Sequence, residues 1–351
     1  MWAMVVKEFR QLRRDRRTVA LLIVMPLVQL IVFGYAASFD VSEIPTAVLG
    51  PEAEQVEGNL PDLFRIDEVD ASAGEARGRE LLRDGEVVMA VVAGPEEPVA
   101  LIDGAELFSA RTALEAVAQA GQRGVEIRTE VLFNPGLETS AIMVPGLAGL
   151  ILLFIGSLIT SLGVVREREA GTLEQLAVMP LRPRDVVAGK IAPYFLVAAI
   201  DLAVIVGVGV LIFDVPFNGS VWVLALGSVL FLFTALGIGV LISSVSESQG
   251  QAIQLALLLL LPQVLLSGLI FPLSSMAAGV RWIGYLLPLT YFIQISRGVM
   301  IRGAPLEGVA EPMLYLAVLG TLVFVLAVLR FRRELAPAGR GERVEVEPVL
   351  R

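Results

Sequence analysis

REREAGTLEQLAVMPLRPRDVVAGKIAPY, residues 166–194, is a charged elbow held between two apolar runs, about 141–165 before it and 191–213 after it. A helix needs roughly 20 apolar residues to cross about 30 Å of hydrocarbon, and both runs qualify. Inside the elbow the pattern reads as a charged helix extension, a short amphipathic helix, a proline stop and a return into a helix. Gly171-Thr172 breaks the first piece. Thr172 is placed to cap a helix over Leu173–Met179, and Glu174 in its first turn complements the helix dipole. Pro180 and Pro183 end that helix, and Arg184–Lys190 leads back to apolar sequence.

Four more runs have the length of a span: Thr18 to Ala37, then about 221–244, 251–270 and 312–330. The fold expected is an all-α polytopic membrane protein with six transmembrane helices. The composition agrees, with 56% apolar and 18% charged residues over 351 positions and a mean hydropathy of +0.75. Histidine and cysteine are both absent, which excludes disulfides, thiol nucleophiles, Cys/His zinc sites and Ser-His-Asp triads. A further apolar stretch, 282–301, is interrupted by Pro288, contains Arg297 and is flanked by Arg281 and Arg302. It reads as a re-entrant or interfacial hairpin within 271–311.

Orientation follows from lysine and arginine in the short flanks. Residues 1–17 carry Lys7, Arg10, Arg13, Arg14, Arg16 and Arg17, so they belong inside, as do the elbow 166–190 and the tail 331–351. A seventh crossing through 282–301 would put the basic tail outside. The 20-residue run after the leader exceeds a signal-peptide core, so 18–37 is expected to remain as transmembrane helix 1. Trp2, Val5, Val6, Phe9 and Leu12 recur at helical spacing, which makes 1–17 an interfacial amphipathic helix on anionic membrane lipid.

Residues 38–140 are of another kind. They hold 21 acidic side chains against seven arginines, a balance of −14, and leave +5 on the rest of the chain. Short β-type runs (Pro45–Leu49, Val87–Val92, Val99–Ile102, Val125–Phe133) alternate with helical ones (Ala73–Asp84, Glu106–Gln122), which predicts a small external α/β domain inserted after the first span. Asp103-Gly104 reads as a turn. The spans then continue through 141–330.

The elbow is similar to the cytoplasmic loop of ABC-2 type exporter permeases, in which E-R-E-x-G-T-x-E-Q-L is followed by P-L and G-K-x-x-P-Y. FNPGLETSAIMVPG at Phe133–Gly146 resembles the start of that family's second span. Gly268–Gly303, with its F-P, L-P-L-T-Y and R-G, resembles its external re-entrant hairpin. The nearest subfamily in pattern is the bacterial multidrug-efflux type with a large external domain.

The resemblance implies a multi-pass subunit of the bacterial inner membrane. It pairs with a second permease copy or homologue and two ATP-binding subunits, with a periplasmic adaptor protein as a further candidate partner. It also implies that Glu167, Glu169, Gly171, Thr172, Leu173, Glu174 and Gln175 couple the chain to the ATPase by contact. No cofactor would bind directly, and ATP would sit on the partner. The residues support this independently: Gly189-Lys190 is followed by Ile191 and has Arg184 where a phosphate loop needs its first glycine.

Asp201 sits about ten residues into the third span, where a charge is expensive, and is a candidate for the transport pathway or for a paired structural role. Gln29, Gln254 and Gln263 read as ties between helices. Gly207/Gly209 and Gly237/Gly239 read as close-packing positions, and Arg297 as an interfacial anchor. A membrane-anchored sensor or binding protein is the competing function, although an anchor needs one or two helices, not a packed set. A polytopic enzyme would rest on Asp201 alone. The basic clusters are juxtamembrane and lack interleaved aromatic platforms, so nucleic-acid binding is not expected.

Overall fold

The computed structural model describes residues 41, 43–58, 60–94, 97–122, 127–171 and 183–335. The expected first span, the amphipathic leader and the basic tail lie outside these residues. So do Thr172, Leu173, Glu174 and Gln175.

The α/β domain runs β1 (Ile44–Leu49), α1 (Ala53–Glu57), β2 (Phe64–Asp70), α2 (Glu75–Asp84), β3 (Met89–Val92), β4 (Val99–Asp103), α3 (Leu107–Gln122) and β5 (Arg128–Leu132). Its five strands lie in the order β2-β1-β3-β4-β5. Only β3 and β4 pair antiparallel. Alternation along the inner strands sends Ile44, Met89, Val91 and Ile102 to the face covered by Ala110 and Ala113 of α3. Leu49, Ala90 and Leu101 go to the other face, against Leu81 and Leu82 of α2.

The sequence pattern hides two of these elements. Strand β2, FRIDEVD, alternates exposed and half-buried positions after the buried Phe64 at the sheet edge, where Arg65 pairs with Asp67 and Glu43. A charged edge strand discourages pairing with other chains, and the same charge conceals it in an acidic stretch. Helix α1 spans five residues and buries only Ala53. The strand expected over Val125–Phe133 is confined to Arg128–Leu132, because Phe133 turns into the left-handed region at φ 66.

The helical part contains α4 (Thr139–Glu169), α5 (Pro183–Ile212), α6 (Val221–Val245), α7 (Gln249–Leu266), α8 (Ala278–Gly284), α9 (Pro288–Arg297) and α10 (Ala310–Leu335). Among the described residues five helices are long and apolar enough to cross a membrane, and they coincide with the last five expected spans. Helix α6 is the axis of the bundle, with α4 and α10 packed on it. Its apolar window is 61% buried, against 17% for that of α5. Leu196, Ile200, Val204 and Leu211 of α5 are exposed, as are Leu314, Val318, Leu322 and Leu329 of α10. Apolar side chains facing outward along whole helices suit a hydrocarbon solvent.

Gly239 explains how α6 comes so close to α4: a Cβ there would lie 2.6 Å from the Ser157 carbonyl oxygen. Residues 282–301 do not form a span. They fall into α8, α9 and the start of a π turn over Gly298–Arg302. Phe292 of α9 stacks on Phe231 of α6 with ring centroids 4.3 Å apart, which seats the hairpin in the bundle core.

The return into a helix expected after the proline stop begins at Pro183, so residues 183–190 are the first turns of α5. Proline is accepted there because the first helical turn has no intrahelical partner for its amide.

Candidate functional site

Three polar assemblies interrupt the apolar bundle. At the end of α4 the charged run Arg166–Glu169 stays helical, Ala170 caps it, and Gly171 leaves at φ 72. This run clasps the turn between α6 and α7. Arg168 donates to the carbonyl of Ser243 at 2.8 Å and to that of Ser246, among the last carbonyls of α6, which have no intrahelical partner. Glu169 accepts from the backbone amide of Gln249 at 3.1 Å and from its side-chain amide, at the first turn of α7. Arg166 closes the set with a 3.0 Å bond to Gln249 Oε1. A cation meets a helix C-terminus and an anion meets a helix N-terminus, as the backbone dipoles favour.

Ser248 caps α7 by accepting from the Gln251 amide, while Gln251 reaches back to the amide of Glu247. Of the residues implied for ATPase coupling, Glu169 is thus in the clasp, Gly171 is its exit, and Glu167 is half-buried on the same turn. Sequence reading missed Gln249. The signal available was the Ser248-x-x-Gln251 spacing of a capping box.

At the opposite end of α4 the α/β domain is bolted to the hairpin. Asp103 is fully buried; its Oδ1 accepts from the Ala105 amide at 2.8 Å, the turn expected from Asp-Gly. Its Oδ2 accepts from Arg302 Nε at 2.7 Å, and Glu106 accepts from Arg302 Nη2 at 3.2 Å. Burial pushes the Asp103 carboxyl above its ordinary value, and the Arg302 charge pulls it back. Gly85, at φ 77, leaves room for this guanidinium: a Cβ there would lie 2.9 Å from Arg302 Nη1.

Asn134 of the FNPG motif completes the joint. It donates to the Gly104 carbonyl at 3.2 Å and accepts from the Glu138 amide at the start of α4. Asn218, between α5 and α6, donates to the carbonyls of Met300 and Ile301 in the π turn. The Asp103-Gly104 turn therefore has a second role that local turn chemistry cannot reveal, since its partner is 199 residues away.

Arg297 is not the interfacial anchor expected. It is 6% exposed, and it donates to the carbonyls of Ile142 and Leu269, each at 3.4 Å. Ile142 lies in the first turns of α4, and Leu269 lies beyond the end of α7 at Leu266, where its carbonyl is outside the helix. The guanidinium serves backbone oxygens in the protein interior where an anchor would serve the membrane surface.

Asp201 is half-buried beside Leu202 on α5 and forms no hydrogen bond or ion pair with the described residues. Gln263 is the tie expected, its Oε1 accepting from the Leu289 amide at the start of α9 at 3.4 Å. Gln254 is exposed, and Gln29 lies outside the described residues. Gly237 and Gly239 mark close approaches of α6 to α10 and α4, and Gly209 one of α5 to α4; Gly207 faces open space. No group of three metal-ligating side chains occurs among the described residues.

Residues 16–329 match the family described as ABC-2 family transporter protein. The chain belongs to that family. It is 28% identical to the probable multidrug ABC transporter permease YbhS of Escherichia coli K12 over 364 aligned positions, covering 95% of this chain and 97% of that protein. It is 26% identical to the probable multidrug ABC transporter permease YbhR of the same organism, covering 95% and 99%. Similarity to the inner membrane transport permease YhhJ is 34% over 216 positions, 60% of this chain and 57% of that protein. This ABC-2 protein is therefore a multi-pass inner-membrane transport permease. It is the membrane subunit, and ATP hydrolysis belongs to a separate ATP-binding subunit.

Proposed function

We propose that this ABC-2 permease is the transmembrane subunit of an ATP-driven exporter. It moves an amphipathic molecule, drug-like or lipid-like, out of the cytoplasm or the inner leaflet. The complex contains two ATP-binding subunits and a second permease copy or homologue, and it has six spans per permease with both termini cytoplasmic. ATP stays on the partner, and this chain binds no cofactor of its own. The α/β domain then faces outward, where a periplasmic adaptor can receive the cargo.

The observation that carries this reading is the clasp joining Arg168 and Glu169 to the α6–α7 turn. The coupling segment implied by the resemblance, Gly171 to Gln175, leaves directly from it. A push delivered there by a closing ATPase pair would act on α4, α6 and α7 together and shift them between inward-open and outward-open arrangements. Asp201 is proposed to face the transport pathway.

Glu174→Lys tests the coupling. The expected result is weaker co-purification with the ATP-binding subunit and loss of ATP-dependent dye uptake into inverted vesicles, whose outer face is the cytoplasmic one. Unchanged co-purification with unchanged export would overturn the assignment.

A further inference from the structure

A cavity of about 700 Å³ lies between α4, α6, α7, the α8–α9 hairpin and α10. That volume is in the range of sites for drug-sized ligands and is far too large for a single water. Its described walls are aliphatic, with Leu153, Leu241, Leu255, Leu259, Leu287 and Leu326 among them and Phe154 as the one aromatic among the described lining residues.

Gln263 breaks that apolar wall. The residue is 4% exposed, and its carbonyl oxygen is taken by the Leu289 amide. Its Nε2 amide group donates to no described residue, and Gln263 is part of the cavity lining. It therefore opens on the cavity. The two serines of the wall are different: Ser157 donates to the Phe154 carbonyl and Ser244 to that of Leu241, so both hydroxyl protons are occupied within their own helices. A buried donor without an acceptor is costly, which makes Gln263 the polar group a ligand would satisfy.

We infer that this cavity binds a predominantly aliphatic molecule whose neutral carbonyl oxygen, of an ester or amide, accepts from Gln263 Nε2. The inference rests on the permease reading above and names the class of molecule that reading leaves open. Aliphatic walls with one aromatic ring give flat aromatic molecules little to stack on. Arg330 is the sole cation of the described lining and stands exposed on α10, so a carboxylate or phosphate at Gln263 would have no counter-charge beside it.

The test uses the full chain with its ATP-binding subunit in nanodiscs and three photoactivatable probes. These are methyl palmitate with a mid-chain diazirine, hexadecane with the same group, and a phosphatidylcholine bearing the same acyl chain. The ester is expected to label peptides of α4, α6 and α7 about fivefold more than the hydrocarbon, the gain of one neutral hydrogen bond. Gln263→Leu should reduce the ester to the hydrocarbon level. Leu259→Trp fills the cavity from a position that is already 44% exposed and should lower labelling by both.

Equal labelling by ester and hydrocarbon would overturn the proposal, as would unchanged labelling in either variant. Labelling by the phosphatidylcholine as well assigns the ligand to the bilayer; labelling by the free ester alone assigns it to the transported class. ATP-dependent export is measured on the same preparations. Export that continues where labelling fails removes this site and keeps the exporter reading; labelling that persists where export fails supports the site and removes the exporter reading.

Discussion

Replacing Arg302 by methionine should unfasten the α/β domain from the hairpin while leaving both folded. The substitution keeps most of the aliphatic stem and deletes the charge. Arg302 is 11% exposed and Asp103 is 0% exposed, so the pair is screened little by solvent. After the change, Asp103 would retain one described donor, the Ala105 amide, for a fully buried carboxylate. Removing one partner of a buried ion pair costs about 3–5 kcal/mol, because the remaining charge is left uncompensated. Glu106 adds little, since its side chain is 31% exposed.

An opening equilibrium moved by that amount changes by about 10²–10⁴-fold. Native-state hydrogen exchange reads it directly. The amide of Ala105, bonded to the Asp103 carboxylate, and that of Ala304, bonded to the Gly298 carbonyl in the turn that carries Arg302, should exchange faster by that factor. Those of Ala47 and Val48 in the sheet centre should not. Adding Asp103→Asn should recover most of the protection, because a neutral amide still accepts from Ala105 without a buried charge. Protection at Ala105 and Ala304 within threefold of the parent in Arg302→Met, or no recovery in the double variant, would refute the argument.

Two further expectations concern the bundle. Arg168→Met removes charge-assisted bonds to two carbonyls at the end of α6, worth about 1.5–3 kcal/mol when partly buried. Spin labels at positions 170 and 250 should show a broader, longer distance distribution, and an unchanged one counts against the clasp. Gly239→Ala should lower the melting temperature of the purified protein, since its methyl group would press on the Ser157 carbonyl at a cost of about 1–3 kcal/mol. Gly207→Ala is the control. Nothing lies within 4 Å of the added atom, and helix propensity favours alanine by about 1 kcal/mol, so its melting temperature should hold or rise.

What the sequence revealed and what it hid divide along physical lines. Spans are legible because crossing a bilayer imposes one length and one polarity, so 141–165, 191–213 and 221–244 are recovered within a few residues at the ends lying in apolar sequence. The rejection of 282–301 as a span also follows from local signals, Pro288 and the flanking arginines. Long-range polar pairing is not legible. Asp103 announces a turn, and nothing nearby tells that Arg302 will reach it. Arg297 carries the composition of an interfacial residue, and its burial depends on carbonyl acceptors 155 and 28 residues away in the chain. The clasp lies between these cases: its charges were visible in the elbow, but Gln249 was hidden in an ordinary helix start.

The Asp103–Arg302 bond has a bearing on synthesis order. A ribosome adding about 5–20 residues per second needs roughly 10–40 s to travel from one of these positions to the other. During that interval the sheet can form, but the carboxylate must stay hydrated, because its counter-ion does not yet exist. Attachment of this lobe to the hairpin is thus a late event of biogenesis, and a chain truncated before residue 302 would hold a folded head by the Asn134 contacts at the start of α4, without the Arg302 bond.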